Sequence, residues 1–172
     1  ALTSFFAIAK GDVSAELWYR LGRPVVAVSN AAALVSWSGS MFEYLMPNLV
    51  LYTPQGTLMN QTDRLVVRRQ IEYGKQKKTP WGISESAFAA RDFEFTYQYS
   101  NFGIPGLGLK RGLANSHVIA PYATGLAAMI MPKAAADNFV ALQAIGARGR
   151  YGFYEAIDFT PARLREGENR TI

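Results

Sequence analysis

Apolar and polar positions alternate along the chain with a period that is mostly helical. Leu2, Phe5, Phe6 and Ala9 fall three and four residues apart, and Gly11 then ends that run. Asp12 can cap a second short helix carrying Leu17, Trp18 and Leu21, closed by Gly22 with Pro24 beyond. The run "VVAVSNAAALVSW" reads equally as a buried strand or a helix, and helix or irregular structure is expected. Ser38 or Ser40 can cap "MFEYLM", which Pro47 halts. Thr57 caps the longest regular helix, with Leu58, Leu65, Val66, Arg69 and Ile71 among polar groups, and Gly74 marks its end.

Residues 79–118 break this rhythm. Gly82, Gly103, Gly106, Gly108 and Gly112, with Pro80 and Pro105, predict a long loop-rich excursion, and long ordered loops in compact domains usually carry function. Ala120 to Met131 then reads as a helix of small residues that packs closely on a neighbour. Pro132 suits the first turn of another helix running to Gly146, with Phe139, Leu142 and Ile145 on one face. The segment "GRYGFYEAIDFTPARL" returns to an aromatic, punctuated rim. No short-period repeat or low-complexity tract interrupts the order of helix pairs around a decorated loop.

Composition narrows the chemistry. The chain has 172 residues, 49% hydrophobic and 18% charged, enough to bury a sizeable core within one domain or part of a larger one. It has no cysteine and one histidine, His117, which removes disulfides, thiolate metal sites and histidine-based zinc clusters, so neither metal nor cofactor is expected. Ser-His-Asp catalysis would need His117, and no Gly-x-Ser-x-Gly elbow accompanies it. The net charge of +5 raises the question of nucleic acid, but the densest basic run, Lys75, Lys77 and Lys78, sits where cations favour a helix C-terminus, so no nucleic-acid partner is expected. No stretch is apolar for the roughly 18 residues a membrane span needs, so this segment is read as soluble, without direct membrane contact. The opening apolar run, with neither cap nor leader, is expected of a piece of a longer polypeptide.

Three segments combine acids with aromatic rings: "WSGSMFEYLMP", "WGISESAF" and "RYGFYEAIDFTP". Glu85 lies among Trp81, Ile83 and Phe88, and a carboxylate in such company is paired, exposed or functional. Alternatively Ser84 or Ser86 caps a short helix and Glu85 occupies its first turn. Flat rings beside directional donors suit polyhydroxylated ligands, because a sugar offers one apolar C–H face and a rim of hydroxyls. Glycosidic chemistry needs two carboxyl groups, about 5 to 5.5 Å apart for retention and roughly 6.5 to 9.5 Å for inversion, separations a sequence does not supply.

Taken together, "FFAIAKGDV", "WYRLGRP", "SWSGSMFEYLMP", "RRQIEYG", "PWGISESAF", "YQYSNFGIPGLGLKRGL", "VIAPYATGLAAM" and "GARGRYGFYEAIDFTPARL" closely resemble the glucoamylase-like middle domain of cyclic β-1,2-glucan synthases. The similarity runs in order from about residue 4 to residue 165. It implies an all-α fold, a partial (α/α)6 toroid of paired helices with long rim loops, and a 1–172 segment that is part of one catalytic domain truncated at both ends. It also implies retaining transglycosylation on linear β-1,2-glucan to give rings, with endo-β-1,2-glucanase-type hydrolysis or a non-catalytic glucan-binding barrel fragment as alternatives. The implied partners are β-1,2-glucan and the remaining domains of the same synthase chain. The implied location is the cytoplasmic side of a bacterial inner membrane, within a larger membrane protein.

The same resemblance places the nucleophile at Glu85 in "GISES". It places the general acid/base in a Ser-Glu-Ala-Arg run before this chain, with Ala1 where that arginine is expected. The sequence departs from the family at Ser100 and Asn101, where Arg-Ala is commoner, and ends after "REGENRTI", ahead of an expected His-His-Gln-Gly-Met segment. Trp37 and Trp81 are read as sugar platforms or as core packing. Glu43 either binds a sugar hydroxyl or pairs with an arginine. Arg111, Tyr122, Tyr154 and Glu155 are assigned to subsites because each lies in a rim motif, and Gly106, Gly108 and Gly112 serve a tight loop.

Overall fold

The computed structural model describes residues 2–172. Helices α1 (Leu2–Ala9) and α2 (Glu16–Arg20) lean on each other through Phe5 and Trp18, whose rings meet edge to face at 6.5 Å. Neither helix has a fully buried residue. Strands β1 (Val25–Val28) and β2 (Ala31–Leu34) form an antiparallel hairpin whose turn is made by Ser29, at φ 51°, and Asn30. Helix or irregular structure was the expectation there. Short apolar runs carry no decisive period, and the hairpin wins because β2 packs on the long helix that follows while β1 pairs with β2.

That helix, α4 (Leu58–Lys77), comes after α3 (Met41–Leu45) and a 3-10 turn over Met46–Leu49 that contains Pro47. Its start is capped as expected: the Thr57 side chain accepts the Asn60 N–H. Gly74 does not end it; the last turn runs on to Lys77, and Lys78 closes it in the left-handed region at φ 57°. Along α4, Thr62, Leu65, Val66, Val67, Gln70, Tyr73 and Gly74 are buried, which makes it the centre of one hydrophobic core. Helices α5 (Pro121–Ala128) and α6 (Pro132–Ala144) pack against each other, and α5 also meets α3. The small residues Ala123 and Ala127 are fully buried, as the tightly packed helix required.

Residues 79–118 are not simply loop. They contain an antiparallel hairpin, β3 (Ser86–Arg91) with β4 (Tyr97–Ser100), and end in β5 (Val118–Ile119). β6 (Arg148–Gly149) pairs with β7 (Gly152–Phe153), and β8 (Ile157–Asp158) returns to β5. Helices therefore take 40% of the chain and strands 18%, and the expected all-α toroid of paired helices is incorrect: the molecule is a mixed α and β structure with small two-stranded antiparallel sheets. The helical period was read correctly where helices exist, but the rim segments form short antiparallel pairs, β3 with β4 and β6 with β7.

Two irregular segments meet at very close range. Residues 36–39 run beside residues 104–110, joined by Ser36 N–H to Leu107 O at 3.1 Å, Leu109 N–H to Ser36 O at 3.1 Å and Ile104 N–H to Gly39 O at 3.1 Å. The buried Tyr44 hydroxyl, 2.7 Å from Leu107 O and 3.0 Å from Leu34 O, ties the pair to α3. Only glycine fits there: a Cβ at Gly103 would stand 1.8 Å from Ser38 O, and one at Gly108 would stand 2.5 Å from the Ser38 carbonyl carbon. Because both obstacles are backbone, Gly103→Ala is expected to lower stability by roughly 1–3 kcal/mol or more, read as the shift of the urea-unfolding midpoint, and an unchanged midpoint would contradict the packing.

Candidate functional site

The segment "PWGISES" crosses the core with almost no secondary structure of its own, so its backbone groups need other partners. Two buried side-chain amides supply them. Gln70 of α4 donates its amide N–H to Ile83 O at 2.8 Å and accepts the Ile83 N–H at 2.9 Å. Asn138 of α6 does the same for Trp81, donating to its carbonyl at 2.8 Å and accepting its N–H at 3.1 Å, and also reaches Thr124 Oγ1 at 2.8 Å. Each amide imitates a neighbouring strand. Gly82 between them, at φ 121°, makes the turn that lets both pairs form, while its carbonyl accepts the Ala120 N–H at 2.9 Å.

The next two residues are fixed from the opposite side. The buried Ser84 hydroxyl accepts the Phe42 N–H at 3.0 Å, so it caps a helix, though α3 rather than one beginning at Glu85. It stands 2.8 Å from the Tyr122 hydroxyl, which donates to the Glu85 carbonyl at 2.9 Å. Glu85 is thus held by its main chain. Its carboxylate, partly buried, forms no ion pair among the described residues.

Strand β3 begins at Ser86, and its edge away from β4 is taken by acids. Glu155 Oε1 accepts the Ala87 N–H at 3.0 Å, and Asp158 Oδ2 accepts the Ala89 N–H at 3.1 Å. Two carboxylates three residues apart on one segment therefore serve two alternate amides of a strand edge, in place of a third strand. Asp158 is 2% exposed and is paired with Arg163 at 2.6 Å, whose guanidinium also lies over the Phe88 ring at 4.9 Å. Burial pushes the Asp158 carboxyl up, but the Arg163 hydrogen bonds together with those from Thr160 and Ala89 outweigh it and hold the carboxyl below its ordinary value.

Docking of residues 154–158 brings Glu155 and Glu85 to the same place. Burial pushes the Tyr122 hydroxyl up to about 12; the Ser84 hydrogen bond opposes this, while Tyr99 and the carboxylates of Glu85 and Glu155 add to it. Burial, followed by the same two carboxylates, also raises the Tyr99 hydroxyl. Tyr122, Tyr154 and Glu155 line one cavity, and the Tyr122 hydroxyl reaches the Glu85 carbonyl beside it, so that phenols which donate stand near acids which accept. The arrangement suits a ligand with many hydroxyls and a reaction in which a carboxylate attacks an electron-poor carbon.

A family model described as putative glucoamylase matches residues 1–167. The chain belongs to that glucoamylase-like family. It is 60% identical over 171 residues to the cyclic beta-(1,2)-glucan synthase NdvB of Rhizobium meliloti (strain 1021), covering 99% of this chain and 6% of that protein. An endo-beta-1,2-glucanase from Chitinophaga pinensis, solved with sophorotriose and glucose, superposes with a TM-score of 0.57 at 16% identity, over 80% of this chain and 35% of the other. At that identity the shared property is the fold.

Within this glucoamylase-like chain the expected site residues fall in three places. Glu85, Tyr122, Tyr154 and Glu155 come together around β3, and Tyr99 and Ser84 join them. Trp37, Glu43 and Arg111 lie elsewhere, where residues 36–40 meet 104–111. Trp37 is 61% exposed and its carbonyl accepts the Lys110 N–H at 2.8 Å. The Glu43 carboxylate accepts from Ser38 N–H at 2.9 Å, Ser38 Oγ at 2.8 Å and Gly39 N–H at 3.1 Å, so its partner is a loop backbone and not an arginine. Arg111 is exposed in a turn. Trp81 is 8% exposed inside the core, where its ring presents no face to a ligand. Ala1, aligned with the expected arginine, lies outside the described residues. The sequence reading missed Gln70 and Asn138, and a usable signal existed: each is an amide on the apolar face of its helix, where only a residue with buried partners fits.

The Asp158–Arg163 pair makes the site's support sensitive to acid. A carboxyl held below its unfolded value contributes stability above that value and loses it as pH falls through the folded one. Arg163→Met is therefore expected to weaken hydrogen-exchange protection of β3 and β8 by about 3–5 kcal/mol at neutral pH, and the gap from wild type should close below about pH 4. A gap of the same size at both pH values would contradict the pairing.

Proposed function

We propose that residues 1–172 form part of one glucoamylase-like catalytic domain that acts on β-1,2-glucan by anomer-retaining transglycosylation and closes linear chains into rings, with Glu85 as the nucleophile. The observation that carries this reading is the position of Glu85: main chain pinned at Ser84, Ile83 and its own carbonyl, carboxylate without an ion pair among the described residues, and two phenols alongside. The identity to a cyclic glucan synthase supports the substrate class. The chain spans about 6% of that synthase's length, so the remaining domains of the same polypeptide are proposed as its partners. Among the described residues no helix is long and apolar enough to cross a membrane. The location proposed for the domain is the cytoplasmic side of an inner membrane, as a segment of a larger membrane protein.

In the first step a Glu85 carboxylate oxygen attacks the anomeric carbon, and the glycosidic oxygen leaves with a proton from a general acid. The resemblance puts that acid upstream of residue 1. In the second step the 2-hydroxyl at the far end of the same glucan attacks the glycosyl ester, gives its proton to the same group, and releases Glu85. Water in place of that hydroxyl makes the reaction hydrolysis. Tyr99 and Tyr122, whose phenols are protonated at neutral pH, act as donors to sugar oxygens beside the reacting carbon, and Glu155 accepts from a sugar hydroxyl with the oxygen that Ala87 does not use.

The test is incubation of the full-length protein with linear β-1,2-glucan. Rings are expected, shorter linear chains would indicate hydrolysis, and unchanged glucan would refute the activity. Glu85→Gln, which keeps the side chain's size, should lower ring formation by about a thousandfold or more, and a variant that still cyclises at the wild-type rate removes Glu85 from the role.

A further inference from the structure

The C-terminal end of α4 opens on a groove of about 450 Å³ that shares no residue with the Glu85 site. Lys77, Lys78 and Arg170 stand along it, and among the described residues no carboxylate lines it. Nor does any of the three cations form an ion pair among the described residues. Asp158, the acid whose charge His117 feels, is already paired with Arg163. Lysines at a helix end are ordinary where they face its last carbonyls, which carry about half a negative charge. Here the Gly74 and Lys75 carbonyls already accept the Thr79 and Lys78 N–H groups at 3.0 and 3.1 Å, and Arg170 arrives from a segment far along the chain. Three whole positive charges therefore gather where the helix supplies only a fraction of a negative one.

The walls of the groove are fixed before any ligand arrives. Arg170 donates from Nε to Ile145 O at 3.1 Å and from Nη1 to Asn169 Oδ1 at 2.9 Å, which leaves Nη2 unused. His117 packs between the rings of Tyr73 and Phe159, whose centres lie 5.9 and 5.5 Å from its own, and its main-chain N–H donates to Thr160 Oγ1 at 2.9 Å. Burial, and after it the charge of Lys77, pushes the His117 imidazole down to about 4, so the ring is neutral at pH 7. Its Nε2 stands 2.9 Å from Thr79 Oγ1, and when that hydroxyl donates to Nε2 the ring proton sits on Nδ1, which has no hydrogen-bond partner. Phe159, Ile145 and Pro161 make the remaining wall apolar. Groups ordered in this way lose little freedom when a ligand enters.

Unpaired cations on one side and an apolar wall on the other suit a doubly charged oxyanion carried on a small organic body. A planar guanidinium matches two phosphate oxygens at once, and the two ammonium groups add point charges. The volume is that of a site for one small molecule, not for a polymer. We propose that this groove binds a small phosphorylated organic molecule, with Lys77, Lys78 and Arg170 on the phosphate and Phe159 and Ile145 against the organic part. The proposal goes beyond the glucan reading and does not rest on it.

The experiment follows amide hydrogen exchange of the full-length protein by mass spectrometry, with phenyl phosphate, inorganic phosphate or sodium chloride added at matched ionic strength. Phenyl phosphate should slow exchange saturably in the peptides spanning residues 113–118 and 159–164, about tenfold when it stands at roughly ten times its dissociation constant. Inorganic phosphate, which lacks the organic part, should need a several-fold higher concentration, and sodium chloride should leave both peptides unchanged. Lys77→Gln, which alters an exposed side chain, should weaken the phenyl phosphate response about tenfold, and Lys77→Arg should keep it. The proposal is overturned if phenyl phosphate protects neither peptide, if sodium chloride protects them equally, if inorganic phosphate acts at the same concentration, or if Lys77→Gln responds like wild type. Peptides already protected without any addition, and loosened by Lys77→Gln alone, would mean that an acidic segment of the same polypeptide fills the groove, which also overturns it.

Discussion

The arrangement depends on two buried amides that stand in for strands. Residues 81–85 pass between α4 and α6 with a single bridge, Ile83 to Ile119 of β5, as their only link to a sheet, and the N–H and C=O groups that this bridge leaves over would be orphaned in an apolar interior, at roughly 1–3 kcal/mol for each group. Gln70 and Asn138 answer this with paired hydrogen bonds to Ile83 and Trp81. Both amides are buried, so their geometry is not shared with water. The segment has a single register, and Glu85 inherits its position from two helices that otherwise have no part in the chemistry.

The same economy recurs at the rim. β3 is closed on one side by β4 and on the other by Glu155 and Asp158, so the strand that follows Glu85 cannot slide without breaking four kinds of contact: ladder, carboxylate, guanidinium and aromatic. Meanwhile Gly103 and Gly108 allow residues 36–39 and 104–110 to touch backbone to backbone, and Glu43 holds the Ser38–Gly39 turn in that contact. The two clusters have different work. One places groups that meet a ligand; the other, which contains the acid and tryptophan of "SWSGSMFEY", places the loop that supports α3.

How much of this was legible in the sequence can be judged element by element. The caps at Ser40 and Thr57 and the proline start of α6 were readable because each is a local interaction between residues at most four apart. Glu85 stood out because a carboxylate in an apolar run demands an explanation, and the motifs around it resemble a known family. The hairpins were not readable to the same degree. The β1–β2 turn uses Ser-Asn with Ser29 in the left-handed region, not the usual Asn-Gly, and the β3–β4 turn relies on Asp92, whose side chain accepts from Glu94 and Thr96 N–H while Phe95 takes φ 62°. Trp81 and Glu43 looked like ligand residues because composition does not reveal that one ring faces the core and one carboxylate is already bonded. Burial and long-range pairing, such as Gln70 with Ile83, are decided by the tertiary structure alone.

A covalent trap addresses the central claim most directly. The full-length protein is treated with an activated 2-deoxy-2-fluoroglucosyl donor, which slows breakdown of a glycosyl ester, and the modified residue is located by mass spectrometry of tryptic peptides. The account predicts one added sugar on the peptide between Lys78 and Arg91, at Glu85. A sugar attached to another carboxylate, or inversion at the anomeric carbon with no adduct, would contradict it.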